Sequence, residues 1–221
     1  MKKIPTIFKR DKNGKITDEP HLDATWVFRG EGVATVKYDG TCCMIKDGVL
    51  YKRYDRKPNK DTRKKRRLTG TVFSLMEFKK EPYGWISSGL ADVVLGHWYG
   101  WVPVDPNDRA DRWHCEAFER TFDIDGGTTL HDKTYELVGP KVQGNPYDLE
   151  EHQLWPHGHT FDEYLGQLRG LVGSIDPPRE FDGLATFLEG WKVEGIVWWH
   201  PDGRMAKIKR VDFGLKWPKR G

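Results

Sequence analysis

Lys37 ends a short, mostly apolar and β-branched run, Val33-Ala34-Thr35-Val36, and is followed by Tyr38, Asp39 and Gly40. A strand that stops on one lysine, with an acid two residues on, presents a single amine at the edge of a pocket. An uncharged lysine amine is a nucleophile, whereas a lysine in an ordinary solvated turn stays protonated and does no chemistry. Lys-x-Asp-Gly alone does not separate the two readings, so the residues that accompany Lys37 have to.

A second group of charges lies near the end of the chain. Val193-Glu194-Gly195-Ile196-Val197-Trp198-Trp199 reads as an apolar strand with one glutamate near its start. Met205-Ala206-Lys207-Ile208-Lys209 alternates lysines with apolar residues, and period two puts Lys207 and Lys209 on one face. A Pro201-Asp202-Gly203 turn that pairs Pro201 with Arg204 sets position 198 against 207 and 196 against 209. That register brings Glu194 onto the lysine face and leaves Val197 on the other. The plain reading is an exposed sheet face with a cross-strand ion pair, worth under about 1 kcal/mol. The chemical one is a glutamate and two lysines lining one surface above a core.

A third group is the run from Lys52 to Arg67, with ten cations against two acids. Such a block is either a solvated loop or helix face or a surface for a polyanion, since clustered Lys and Arg release counterions from a phosphate backbone.

These groups need elements to hold them. Residues 1–30 read as polar and irregular, with a turn at Asn13-Gly14. Val33 to Tyr38 and Thr41 to Lys46 read as strands, and Lys46-Asp47-Gly48 as a hairpin turn into Val49–Arg53. Thr71 to Lys79 reads as a short helix, and about 82–112 as an insertion of loops and short strands. His114–Phe118 and Tyr135–Gly139 read as further strands. Thr160 caps a helix with apolar positions Phe161, Leu165, Leu168 and Leu171. A second helix, Glu180 to Trp191, aligns Phe181, Leu184, Ala185 and Leu188.

The 221 residues allow one large core or two small ones, and a single domain over 1–221 is the economical division. No run approaches the roughly 18 apolar residues of a membrane span, and no apolar segment follows Met1-Lys2-Lys3, so a soluble, cytoplasmic protein is expected. Three cysteines, Cys42, Cys43 and Cys115, fit neither a disulfide framework nor zinc spacing.

In order along predicted strands stand Lys37-x-Asp-Gly, Tyr135-Glu136-Leu137-Val138-Gly139, Glu194-Gly195-Ile196-Val197 and Lys207-Ile208-Lys209. The set resembles the covalent nucleotidyltransferase superfamily of DNA ligases, RNA ligases and capping enzymes. Further strings narrow it. Asp39-Gly40-Thr41-Cys42-Cys43, Asp55–Lys60, Gly100–Val104, Gly144-Asn145-Pro146-Tyr147, Pro156-His157-Gly158 and Glu194–Trp198 look like the RNA ligase 1 family. The resemblance runs from about Thr35 to Trp217-Pro218. It implies an α+β nucleotidyltransferase domain of antiparallel sheets flanked by helices. No C-terminal oligonucleotide-binding barrel is expected, because so few residues follow Lys209.

The implied activity is joining RNA 5′-phosphate to 3′-hydroxyl ends with ATP and Mg²⁺ or Mn²⁺, through AMP carried on Lys37. A lysine at its reference pKa is neutral in only about one molecule in a few thousand at pH 7, and nearby cations with partial burial lower that pKa. Lys207 and Lys209 are the candidate cations. The resemblance places Glu136 and Glu194 around the ribose and the metal, and carries Asp39 and Gly40 over with the first motif. It gives Arg53, or second Arg56, a contact to the nucleotide or 5′-phosphate. It points to Trp155 or His157 for stacking on the adenine and to Val197 for its other face. Lys57, Lys60, Arg63, Lys64, Lys65, Arg66 and Arg67 then form the RNA surface; no membrane or protein partner is implied. A DNA ligase or capping-type enzyme, or a non-catalytic RNA-binding module on this scaffold, are the competing readings.

Overall fold

The computed structural model describes residues 4–121, 130–169 and 175–217, without the side chains of residues 65, 67–69 and 166–169. In chain order it holds β1 (Phe8–Arg10), β2 (Ile16–Pro20), α1 (Thr25–Phe28), β3 (Val33–Lys37), β4 (Thr41–Lys46) and β5 (Val49–Arg56). Then come α2 (Lys60–Thr69), β6 (Ile86–Ser87), β7 (Trp98–Pro103), α3 (Arg112–Glu119), β8 (Lys133–Val138) and β9 (Gln153–Pro156). The last elements are α4 (Phe161–Arg169), α5 (Phe181–Gly190), β10 (Gly195–Trp199) and β11 (Met205–Lys209). The fold is therefore a mixture of helices and antiparallel sheets. No helix among the described residues is long and apolar enough to cross a membrane.

The chain divides into two compact units, Ile4–Gly40 with Gln143–Asp148 and Trp155–Gly221, and Thr41–Val142 with Leu149–Leu154. The first is built on the antiparallel sheet β11-β10-β3. One face of it is wholly apolar: Ile196 pairs with Val36 and Ile208, and Trp198 with Ala34 and Ala206. All of these side chains are buried, and Leu184 and Leu188 of α5, Phe161 of α4 and Trp26 of α1 complete the core. The capping box expected at Thr160 forms, with Glu163 N–H on Thr160 Oγ1 at 3.3 Å and Thr160 N–H on Glu163 Oε2 at 2.7 Å. Of the apolar positions expected along that helix, the Leu168 side chain and Leu171 lie outside the described residues.

Residues 4–30 are more ordered than their polarity predicts. β1 and β2 form a hairpin around Asn13-Gly14, with Gly14 at φ +80°. The Ile7 N–H bonds the Lys207 carbonyl and the Lys207 N–H bonds Pro5, so this segment extends the sheet beyond β11. An edge strand with unpaired amides accepts any neighbour of the right spacing, whatever its side chains.

The second unit is a six-stranded sheet in the order β6-β7-β5-β4-β8-β9. The β4–β5 hairpin turns on Asp47 (φ 50°) and Gly48 (φ 72°), the left-handed pair that matches strand twist. Cys43, Ile45, Leu50, Tyr135 and Leu137 pack on Ala117, Val142 and Leu154 beneath it.

Two expectations fail here. His114–Phe118 belongs to α3, whose Trp113, Ala117 and Phe118 face the core at helical spacing. Thr71–Lys79 forms only a short 3₁₀ turn, Leu75–Glu77, capped by Ser74. The helix instead is α2, the basic segment itself, closed by Gly70 at φ +66°. Within 82–112, β7 pairs with β5 from Arg56↔Trp98 to Tyr51↔Pro103, and β6 pairs with β7.

Candidate active site

The polar face of the β11-β10-β3 sheet carries the charges. Its rungs read Lys37–Gly195–Lys209, Thr35–Val197–Lys207 and Val33–Trp199–Met205. This corrects the expected register by one residue. The loop is Pro201-Asp202-Gly203, closed by His200 N–H on the Arg204 carbonyl at 2.9 Å, with Gly203 at φ +87°. Three loop residues ending in a left-handed glycine replace the two assumed, and Val197 moves onto the lysine face.

Lys37 and Lys209 thus flank one rung from two strands away, about 10 Å between backbones. The position between them is Gly195. A side chain there would run into the Ile208 carbonyl, so glycine is the residue that lets β10 and β11 pair at this point. Glu194 precedes the strand and escapes its alternation, and its carboxylate swings over the gap. One oxygen takes Lys37 Nζ in a short ion pair and the other takes Lys209 Nζ at 2.6 Å. The Glu194 side chain is only 6% exposed, against 21% for Lys37 and 32% for Lys209. Lys37 Nζ also donates to the Tyr38 carbonyl at 3.2 Å.

Lys207 makes no carboxylate ion pair among the described residues. Burial, then Lys37 and Lys209, bring its pKa down from 10.5 to about 8. For Lys209 burial also favours the neutral amine, but the Glu194 hydrogen bond with the charges of Glu194, Asp212 and Asp39 outweighs it, and the pKa is raised. Asp39 is pushed up by burial and by Glu194, against the pull of Trp217, Lys37 and Lys209.

The sheet is fixed from several sides. Thr35 Oγ1 donates to the Val197 carbonyl at 2.8 Å, and Val36 N–H bonds the His159 carbonyl at 2.9 Å. Asp212 Oδ2 accepts the Lys209 N–H at 2.9 Å, and Arg210, 2% exposed, donates to the carbonyls of Leu188 and Trp191 at the end of α5. Asp39 is held by Trp217 Nε1 on Oδ2 at 2.9 Å, while its N–H bonds the Tyr147 hydroxyl at 2.7 Å. Gly40 offers its carbonyl to Gln143 Nε2 at 3.3 Å. Of these supports only Asp212 left a sequence signal, an acid three residues into the turn after Lys209.

Trp155 packs its ring against Tyr147 at 4.7 Å and Tyr38 at 5.0 Å, which makes it part of an aromatic cluster. His157 is half-buried.

The remaining candidates lie in the other unit. Glu136, 9% exposed, stands opposite Cys42 on the face of β8 away from Tyr135 and Leu137. Alternation along β5 puts Arg53 on that same face and Arg56 on the reverse. Arg53 is exposed, its guanidinium 4.4 Å from the Tyr99 ring centre. Arg56 is buried over Trp98 and bonds Glu81 and the Lys79 carbonyl, a structural position. Lys57 pairs with Asp55 at 3.4 Å; Lys60, Arg63, Lys64 and Arg66 lie on α2, as do Lys65 and Arg67, whose side chains are outside the described residues. Glu136 and Glu194 offer the hard oxygen donors that Mg²⁺ or Mn²⁺ takes. For Glu194 a metal has to displace an ammonium group.

With this geometry in view, the comparisons decide the family. The RNA ligase 1 family model matches residues 29–125 and 126–221. The chain belongs to the RNA ligase 1 family. It is 33% identical to RNA ligase 1 of Pongo abelii over 233 residues, covering 84% of this chain and 68% of that one. The rat (Rattus norvegicus) and zebrafish (Danio rerio) proteins of that name are each 31% identical, with the same coverage.

Proposed function

We propose that this family member is an ATP-dependent RNA ligase with a nucleotidyltransferase fold, joining RNA 5′-phosphate to 3′-hydroxyl ends through AMP carried on Lys37. The observation that supports it best is the Glu194 carboxylate bridging Lys37 and Lys209, with Lys207 beside them held near pKa 8.

Three amines around one carboxylate form a site for a phosphate chain. Incoming phosphates take over the charge compensation that Glu194 supplies to Lys209, which frees the Glu194 carboxylate, a group that would hold a divalent ion. Once Lys37, whose side chain is 21% exposed, loses its partner and gives its proton to solvent, its Nζ attacks the α-phosphorus of ATP. The N–P bond forms, the α–β P–O bond breaks and pyrophosphate leaves. The same amine is then the leaving group when an RNA 5′-phosphate oxygen attacks the bound AMP. Finally a 3′-hydroxyl attacks the 5′-phosphorus and AMP departs. A divalent ion would supply charge neutralisation at the phosphates; Glu194 is a candidate ligand, and the family resemblance separately assigns Glu136 to the metal. Lys207 and Lys209 bear on the phosphates throughout. Asp39, Gly40, Arg53, Val197 and His157 are assigned to the nucleotide by the family resemblance.

Incubation with ATP and Mg²⁺ followed by intact-protein mass spectrometry tests the reading. The expected result is a mass increase of one AMP, absent in Lys37→Ala. An adduct that persists in Lys37→Ala overturns the assignment. Substituting GTP for ATP, and DNA for RNA ends, separates the capping-type and DNA-ligase alternatives.

A further inference from the structure

The C-terminal cap of α2 folds the basic helix onto an apolar support. Gly70, at φ +66°, bonds its N–H to the Arg66 carbonyl, and the chain turns back through Thr71 to Phe73. Arg66 Nε donates to the Thr71 carbonyl at 2.9 Å, which lays the guanidinium over the Phe73 ring, 4.5 Å from its centre. Phe73 is itself fixed. Its N–H bonds the Val93 carbonyl at 2.9 Å, its ring lies edge-on to Phe78, and the Gly96 backbone is packed so close to it that a Cβ there would clash.

Leu95 comes from a second stiff turn. The Asp92 carboxylate accepts the N–H groups of Val94 and Leu95 at 3.1 and 2.8 Å, and its carbonyl accepts that of Gly96 at 2.8 Å. Leu95 is nonetheless 62% exposed. Between these parts lies a groove of about 950 Å³ lined by Lys60, Asp61, Arg63, Lys64, Arg66, Gly70, Phe73 and Leu95.

A duplex backbone needs only a row of cations. This groove adds a guanidinium plane stiffened from behind by an aromatic ring, with an exposed apolar side chain at the same groove and Lys60, Arg63 and Lys64 along the helix. Flat cation, apolar surface and phosphate-binding rim together match an unstacked base with its phosphates. We infer that the groove binds an unpaired nucleotide of single-stranded RNA, with the base against Arg66 and Leu95 and the phosphates on Lys60, Arg63 and Lys64. The inference rests on the RNA ligase reading for its choice of polyanion, and it makes the α2 surface selective for single strands.

Fluorescence anisotropy with a short labelled single-stranded RNA, the same strand in a blunt duplex, and an abasic strand of equal length tests it. The wild-type chain should bind the base-containing strand at least about fivefold more tightly than the abasic one. Arg66→Lys, which keeps the charge and loses the plane, and Leu95→Ser on the exposed rim should both erase that ratio. Equal affinity of the wild type for base-containing and abasic strands, or for duplex and single strand, overturns the inference. So does an acidic peptide that competes as well as RNA. ATP labelling of the wild type is run alongside. A missing AMP adduct with the single-strand preference intact refutes the ligase reading alone, and an adduct without the preference refutes the groove alone.

Discussion

Glu194 is the only carboxylate that the described residues bring onto the Lys37–Gly195–Lys209 rung, and replacing it with its amide isolates what its charge does. Glu194→Gln should lower the pKa of Lys209, because the hydrogen bond and charge that outweigh its burial are gone. Lysine-selective NMR titration reads this directly. The amide should also cost about 1–3 kcal/mol in urea unfolding at low salt, since the ammonium groups lose their counter-charge while part-exposed, and less at high salt. Lys207 gives the opposite sign. Its amine deprotonates at about 8 in the fold and near 10.5 when unfolded. Between those values the unfolded chain holds the extra proton, so stability due to this group rises with pH across that window. Lys207→Met should therefore be more stable than the parent at pH 7, with the gap closing by pH 10 in thermal melts. An unchanged gap means that Lys207 titrates normally.

At the scale of elements, Gly195 and Gly203 do different work on one hairpin. Gly195 admits the β11 carbonyl against β10, whereas Gly203 only supplies the left-handed turn. Gly195→Ala should disrupt the pairing that sets Glu194 and Lys209 and remove the AMP adduct. Gly203→Ala should cost about 1 kcal/mol of stability with the adduct retained, by the same mass measurement. The contrast also shows what could be read in advance. Asp47-Gly48 named its turn and register because Asp-Gly has one favoured hairpin geometry. Pro201-Asp202-Gly203 admitted two loop lengths, and the one-residue difference moved Val197 to the other face. The basic helix carries almost no apolar period, so only its bracketing Asn59 and Gly70 marked it. His114–Phe118 by itself carries no helical period; Trp113, four residues before Ala117, supplies it. The order of the charged motifs was legible throughout. Their supports, Thr35, Tyr147, Arg210 and Trp217, were not, since a buried hydrogen bond between residues far apart in sequence leaves no local pattern.

Over the whole molecule, the net charge of +3 conceals an uneven distribution. Lys52–Arg67 alone carries ten cations and two acids, so the rest of the chain is net negative. A net negative remainder, apart from the Lys37, Lys207 and Lys209 cluster, favours the α2 surface as the place where a polyanion first lands, raising the association rate at low ionic strength. Two measurements then behave differently. RNA affinity should fall steeply as salt rises, with a slope set by the number of phosphates neutralised on α2. Replacing Arg63 and Lys64 together by alanine should make that slope shallower by about 0.7 for each single-strand phosphate that is no longer neutralised. If the double variant binds more weakly while its slope stays at the parental value, Arg63 and Lys64 do not neutralise phosphates, and the cations of α2 act through the base or through the fold of the groove.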